Sequence, residues 1–481
     1  MKRLPKVIQG GMGAGVSGWR LANAVSRTGE LGVVAGTALD VILARRLQIG
    51  DPGGHVRRAL SRFPVPGVAR RILERYFVDG GKEEDVPFKS KPILSESPSR
   101  QLDELTVAGN FVEVFLAQEN HANPVGINYL EKIQVPTLAS LFGAMLAGVA
   151  YVCMGAGIPT AVPGVLDGLA QGASVELRLD VAGAERGETF VTRFDPGEFL
   201  GRKAPALKRP RFLAIVSTHV VANVLQRKAS GRIDGYVVEG ATAGGHNAPP
   251  RGRTALNPQG EPTYGPRDVP DLAALRALGA PFWLAGSQAE PERLRDALAQ
   301  GAAGIQVGTA FAFAEESGIV PSWKSKILSM SRAGQARVLT DPVASPTGFP
   351  FKVLQAAGTL SDAPVSEARE RLCDLGYLRQ AYRRTDGSIG WRCAGEPEAD
   401  FVAKGGDPAD TPGRKCVCNG LLANIGLAQV RAESGPERPL FTAGDDIANI
   451  ARFLAPGQSS YRAADVIDYL LGREPAPIPS G

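Results

Sequence analysis

Short apolar runs alternate with amphipathic stretches through the first two-thirds of the chain. The runs are KVIQGGM (6–12), LGVVAG (31–36), PVGINYL (124–130), YVCMGAG (151–157), FLAIVS (212–217), GYVVEGA (235–241), PFWLAG (281–286) and GIQVGTA (304–310). Each is apolar at consecutive positions, which predicts strands buried on both faces, as in a parallel sheet. Between them, GWRLANAVSRTG (18–29), LASLFGAMLAG (138–148), HVVANVLQRKAS (219–230), DLAALRALG (271–279) and EPERLRDALAQG (290–301) carry apolar residues at helical spacing. Gly29, Gly148, Gly279 and Gly301 sit where those helices should stop. Eight strands alternating with helices by residue 310 predict an α/β protein, a closed (β/α)8 TIM barrel.

The alternation is interrupted twice. Residues 40–123 form a long, basic, mostly helical insertion after the second strand. Residues 173–210 look like a polar hairpin, VELRLDV then ETFVTRFDP, ahead of the fifth. The expected organisation is a barrel over 1–335 carrying these insertions, followed by a C-terminal extension over 336–481 that holds four of the five cysteines.

Nearly every expected strand ends in glycine: Gly11 and Gly13, Gly36, Gly155 and Gly157, Gly240, Gly286, Gly308. In a barrel those ends meet at one face, where a flat ring or a phosphate can approach backbone that carries no side chain. GAGVSG (13–18) also satisfies the dinucleotide pattern G-x-G-x-x-G after a strand. No acid closes the second strand to hold a ribose, however, so a barrel is the better reading. At the seventh and eighth strands, Gly286 with Ser287 and Gly308 with Thr309 supply small residues near helix starts, the composition of a phosphate cradle.

Composition excludes several classes. The net charge of +5 is small for 481 residues, and the basic runs KRPR (208–211) and RRILER (70–75) lack interleaved aromatics. They read as solvated faces, so no nucleic-acid partner is expected. No run approaches the length of a membrane span, so no membrane partner is expected. The start MKRLPKVIQGGMG has no apolar h-region, and five cysteines make no disulfide scaffold, so the expected setting is the cytoplasm.

Two groups carry chemistry. His246, one of four histidines, follows Gly244 and Gly245 at the end of the sixth strand and precedes Pro249 and Pro250. There it can take a proton α to an electron-withdrawing group or hydrogen-bond developing negative charge, and RGRTALNPQGEPTYGPRD (251–268) is long enough to act as a lid. His219 and His55 read as helix-start residues, and His121 as a loop residue. In the tail, Cys373, Cys393, Cys416 and Cys418 could bind Zn²⁺ or an iron–sulfur cluster, or be unconnected buried thiols. Cys153, on the fourth strand, reads as core.

These segments in barrel order, with EGATAGGHNA and LAGSQAEPERLRDALAQGAAGIQVGTAFAFAEESG, resemble the FMN-dependent nitronate monooxygenase family, formerly called 2-nitropropane dioxygenases, whose relatives include flavin enoyl-ACP reductases. The resemblance covers about 1–40, 124–172 and 211–320. It implies FMN at the barrel mouth. Gly10, Gly11, Met12 and Asn128 would lie at the flavin ring, and Gly155, Glu239, Gly244 and Gly245 would line the same mouth. Gly286, Ser287, Gly308 and Thr309 would hold the phosphate, and His246 would be the active-site histidine. ASPTGFPFK (344–352) would fold back over the cofactor. Two departures touch the substrate: the loop reads HNAPPRG where the family often continues H-x-G, and Ser287 stands where a second glycine is usual.

The expected activity is oxidation of a nitronate or similarly stabilised carbanion using oxygen. The alternatives are NAD(P)H-dependent reduction of an enoyl thioester on a carrier protein or CoA, and a non-catalytic flavoprotein scaffold. A scaffold has no need of the histidine. Long insertions on a barrel often mediate dimers, so a homodimer is a further expectation.

Overall fold

The computed structural model describes residues 3–253 and 255–473. Thr254 of the expected lid and residues 474–481 of the tail lie outside that range. Eight parallel strands close a barrel: β1 (Val7–Gln9), β2 (Leu31–Ala35), β3 (Val125–Leu130), β4 (Tyr151–Gly155), β5 (Arg211–Val216), β6 (Gly235–Glu239), β7 (Phe282–Ala285) and β8 (Gly304–Val307). Each pairs with its chain neighbours, and β1 closes the ring against β8, with Ile8 opposite Gln306. Every expected run overlaps one of these strands, so the structure is the (β/α)8 TIM barrel the alternation predicts, with the helical insertion after β2.

Two apolar layers explain why the strands lack an alternating polar face. Ile8, Leu31, Val33, Tyr151, Cys153, Leu213, Val237 and Trp283 pack together inside the ring. Their neighbours Val7, Val34, Val152, Phe212, Tyr236 and Phe282 face the surrounding helices. The Trp283 indole N–H donates to the Pro5 carbonyl at 2.8 Å, which satisfies the one polar atom of the largest inner side chain. Fully burying a side chain of this kind stabilises by roughly 1.5–3 kcal/mol, so this double layer is the main support of the scaffold.

The insertion contains helices Leu39–Gln48, His55–Leu60, Pro66–Tyr76 and Arg100–Ala117. The last packs on the helices Trp19–Arg27 and Thr137–Leu146 on either side of it, so it serves as a member of the outer ring. Ser99 caps it, accepting from the Leu102 N–H. Within 173–210, Val175–Arg178 pairs antiparallel with Val191–Phe194, and Val181–Ala182 runs beside Gln380–Arg383 of the tail.

The tail wraps the barrel rather than standing apart. Its helix Ala463–Leu471 packs on Trp19–Arg27 and Pro291–Ala299. Leu422, Phe441, Ile447 and Ile467 belong to the same apolar core as the barrel helices. A smaller cluster of Ala344, Phe351, Val353, Leu360, Val417 and Leu440 is the tail's own. No helix among the described residues is long and apolar enough to cross a membrane.

Candidate functional site

The carboxyl ends of the strands open into one cavity. Every residue expected to face the flavin lines it: Gly10, Gly11, Met12, Asn128, Gly155, Glu239, Gly244, Gly245, Gly286, Ser287, Gly308 and Thr309. His246 lines it too.

One wall is the loop after β1. Ser17 holds its shape: the hydroxyl donates to the Gly10 carbonyl (3.1 Å) and accepts from the Met12 N–H (3.0 Å) and the buried Gln9 amide (2.9 Å). At Gly11 the backbone approaches β3 so closely that a Cβ would lie 2.4 Å from Asn128 Cβ. The result is a smooth backbone surface suited to a flat ring.

The wall at β7 and β8 is made of donors. Among the described residues, the backbone N–H groups of Gly286, Ser287, Gly308 and Thr309 donate to no protein acceptor. Gly286 adopts φ +94° and Ser287 φ +49°, a left-handed turn ahead of the helix Pro291–Ala299. Successive free N–H groups beside a helix start form a nest for an anion. Facing a glycine-lined cavity and left without a protein acceptor, this set fits the phosphate of a bound nucleotide. Asp446 lines the same cavity, and its charge is met by Arg452 at 3.0 Å. Arg452 also binds Glu290 (2.9 Å) and the Ala289 carbonyl (2.7 Å) at the head of that helix.

His246 sits where β6 gives way to the long loop, and the tail clamps it there. Lys352 N–H donates to the Gly245 carbonyl and Asn247 N–H to the Pro350 carbonyl, both at 2.9 Å, so 245–247 runs antiparallel to 350–352. The Phe351 ring lies 4.7 Å from the imidazole, and Nε2 is 2.7 Å from Ser345 Oγ. ASPTGFPFK therefore does fold back over the barrel mouth. Burial lowers the imidazole to about 4, so it is neutral at physiological pH. Burial pushes the Glu239 carboxyl up to about 7, giving the cavity a group that changes charge near neutrality.

The remaining histidines stand outside the cavity. His219 Nδ1 accepts from the Asp271 N–H (3.3 Å), His55 lies against Trp19 with ring centres 4.9 Å apart, and His121 Nε2 is 2.8 Å from the Ala117 carbonyl. Cys153 is buried inside the barrel. The four tail cysteines, scattered over the sequence, line a single small cavity. Among the described residues, no three His, Cys, Asp or Glu side chains stand close enough to hold one metal ion.

The tail's share of the barrel mouth is what the motifs missed. Tyr377, Leu378, Cys418, Leu421 and the turn Thr442–Gly444 all line it. Thr442 Oγ1 accepts from the Gly245 N–H and Thr309 Oγ1 from the Gly444 N–H, both at 2.9 Å. The stretch FTAGDD (441–446) announces a turn, but nothing local says against what it closes.

A family model described as nitronate monooxygenase matches residues 169–347, the segment that carries β5 to β8, the His246 loop and the cradle. The chain thus resembles that family both in its motifs and in this match. No curated protein matches it. Similar solved structures include FabK from Thermotoga maritima, at 16% identity over 98% of this chain and 93% of that one, TM-score 0.48. A nitroalkane oxidase from Streptomyces ansochromogenes matches at 16% identity over 98% and 95%, TM-score 0.48. The enoyl reductase domain of MlnA from the macrolactin biosynthesis cluster of Bacillus amyloliquefaciens matches at 11% over 98% and 94%, TM-score 0.45.

Proposed function

We propose that this chain, whose barrel carries the segment matched by the nitronate monooxygenase family, is an FMN-dependent oxidoreductase that oxidises a nitronate or similarly stabilised carbanion using oxygen. The observation that supports it best is the meeting in one cavity of unpaired N–H groups at β7 and β8 with a half-buried histidine from the loop after β6. Gly286, Ser287, Gly308 and Thr309 would hold the FMN phosphate, while Gly10, Gly11, Met12 and Asn128 face its ring. When bound, FMN supplies the capacity to take electrons from a reduced substrate and pass them to an acceptor.

The chain's own residues supply orientation and proton handling. A neutral imidazole can hydrogen-bond the charge of such an anion or, where the neutral acid form binds, take its proton α to the electron-withdrawing group, a transfer worth about 10²–10⁴ in rate. Ser345 and Phe351 hold the ring in place for either task. Glu239, poised near neutrality, can accept or donate at the inner edge of the cavity.

A second reading, NAD(P)H-dependent reduction of an enoyl thioester, draws on a neighbouring cavity. It shares Ile133, Tyr377 and Leu378 with the barrel mouth. Lys132, Arg178, Arg379, Arg392 and Arg414 line it against Asp180, Glu188 and Asp410. That basic excess suits a long acyl chain ending in phosphate groups.

Visible spectra of protein purified without oxygen decide between them. Flavin bands that bleach with a nitronate and ignore NADPH support the first reading, and bleaching by NADPH supports the second. Absence of flavin after reconstitution with FMN would sink both.

A further inference from the structure

The cavity beside the barrel mouth has a volume of about 780 Å³, within the roughly 300–1,000 Å³ of small-molecule sites. Its walls come from the loop after β3 (132–136), the hairpin segment 178–190, the turn 346–348 and the tail between 376 and 414. We propose that this side cavity is a second binding site, which takes an apolar chain ending in a phosphate group and leads the other end of that chain to the barrel mouth.

Charge selects the end group. Lys132, Arg178, Arg379, Arg392 and Arg414 line the cavity, and among the described residues none of the five pairs with a carboxylate. Three of them donate to backbone carbonyls instead. Arg414 reaches those of Asp410 and Val343 at 2.8 Å and that of Ser345 at 2.6 Å, Arg392 that of Lys404 at 3.0 Å, and Arg379 that of Leu94. A carbonyl holds a guanidinium in place without cancelling its charge. Of the three acids in the lining, Glu188 is met at 2.8 Å by Arg383, which stands outside it. Asp180 and Asp410 are left against five cations, and guanidinium forks match a phosphate better than a single point charge does.

The rest of the wall selects the chain. Leu94, Ile133, Leu179, Val181, Phe190 and Trp391 give the cavity an apolar side that a bare inorganic ion would not use. The Trp391 indole N–H donates to Glu96 at 3.2 Å, which fixes the largest of these faces. Each methylene buried there is worth about fourfold in affinity.

Two links join this cavity to the barrel mouth. Ile133, Tyr377 and Leu378 line both, so the two spaces meet at these side chains. Tyr377 is tied down there: its O–H donates to the buried Asp40, whose other oxygen lies 3.0 Å from the buried Lys91 Nζ. The second link is polar. Arg414 holds the Ser345 carbonyl at 2.6 Å, and Ser345 Oγ lies 2.7 Å from His246 Nε2. An occupant touching Arg414 is one residue removed from the partner of the imidazole, as the far end of a substrate would be. The proposal deepens the functional reading above and rests on it in taking the barrel mouth as the place of reaction, whichever of the two reactions runs there.

The test is calorimetric titration of the whole chain with decyl phosphate below its micelle concentration, beside decanol and inorganic phosphate. Decyl phosphate should bind once per chain, and decanol and inorganic phosphate at least tenfold more weakly, since each lacks one half of what the cavity offers. Lys132 and Arg178 are exposed, so the double variant Lys132→Ala/Arg178→Ala should fold and should bind decyl phosphate at least tenfold more weakly. Arg295→Ala, on the outer helix Pro291–Ala299, should bind it as the unaltered chain does. Absence of saturable binding overturns the proposal, as does decanol or inorganic phosphate binding as tightly as decyl phosphate, or a folded double variant with full affinity. Competition then identifies the source of the chain: displacement by decanoyl coenzyme A assigns the site to coenzyme esters, and no displacement assigns it to free phosphate-ended lipids, both in accord with the proposal. None of these readouts needs flavin or turnover. A chain that binds no FMN would sink the functional reading and leave this site standing, and the reverse also holds.

Discussion

The cavity at the barrel mouth has two walls of different make. The barrel wall, from Gly10 round to Thr309, presents backbone: glycines and free N–H groups at strand ends. The tail wall presents side chains, with Phe351, Tyr377, Leu378, Cys418 and Leu421 reaching inward and Ser345 behind them on His246. Backbone at strand ends is positioned first by the closed sheet, with the tail adding contacts at Gly245 and Thr309. Side chains from a wrapped tail are positioned by long-range packing. The barrel wall is therefore suited to holding a group common to many such barrels, and the tail wall to deciding what lies above it.

The sharpest way to break that division is to damage the barrel wall alone. Gly286 holds φ +94°, and a Cβ there would sit 2.9 Å from Thr242 Oγ1 and 3.2 Å from the Gly240 carbonyl. Gly286→Val should tilt the free N–H groups off their common target and weaken FMN binding by about 100-fold, since backbone strain of this kind costs about 1–3 kcal/mol. Gly279→Val is the control: φ is +75°, but no atom lies within 4 Å of its Cβ. It should cost stability yet leave the FMN dissociation constant, read by fluorescence quenching, within about twofold. Equal loss of FMN in both variants would mean general strain and remove the cradle.

Which parts were legible in the sequence follows the same division. β1 to β8 and the glycine stops could be read because buried parallel strands and helix ends leave local marks. Gly286, Ser287, Gly308 and Thr309 could be read because each lies immediately after its strand. Thr442, whose hydroxyl accepts from Gly245 almost two hundred residues earlier in the chain, could not. Nor could the meeting of the cysteines: the spacings from Cys373 to Cys418 fit no compact pattern, because the loops between them carry the strands Gln380–Arg383 and Ile389–Arg392. The helix Arg100–Ala117 was hidden differently, inside a stretch whose other helices precede it without an intervening strand.

A smaller effect separates the two buried ionisable groups of the barrel wall. His246 is lowered to about 4 from 6.5, so its contribution to stability is complete above pH 6.5 and is lost as pH falls towards about 4. Glu239 is raised from 4.5 to about 7, so the folded state favours its proton. Its contribution is present below pH 4.5 and is lost as pH rises through about 7. The two slopes oppose each other between pH 4.5 and 6.5. Urea titrations of the FMN-free chain at pH 5 and 7 should separate them. With Glu239→Gln, stability should fall by about 1–2 kcal/mol on going to pH 5; with His246→Gln it should rise by a similar amount. Parallel slopes in both variants would show that neither group is shielded as the fold implies.

The tail wall is tested most gently at Ser345. Its side chain is fully buried, with Oγ 2.7 Å from His246 Nε2 and 2.9 Å from Thr347 Oγ1 and accepting from the Thr347 N–H at 3.3 Å, so it ties the imidazole to the turn 345–347. Removing one buried hydrogen bond costs about 1 kcal/mol, or about fivefold in a rate that depends on ring orientation. Ser345→Ala should thus lower kcat about fivefold while FMN content and KM change little. A structural role alone would instead lower the melting temperature and leave kcat per bound flavin untouched. If kcat falls while the flavin stays, the tail does more than cover the mouth: it orients the histidine that the barrel wall supplies. If kcat holds, Phe351 and the backbone pairing of 245–247 with 350–352 are enough to place the ring, and the tail's influence on chemistry narrows to steric cover.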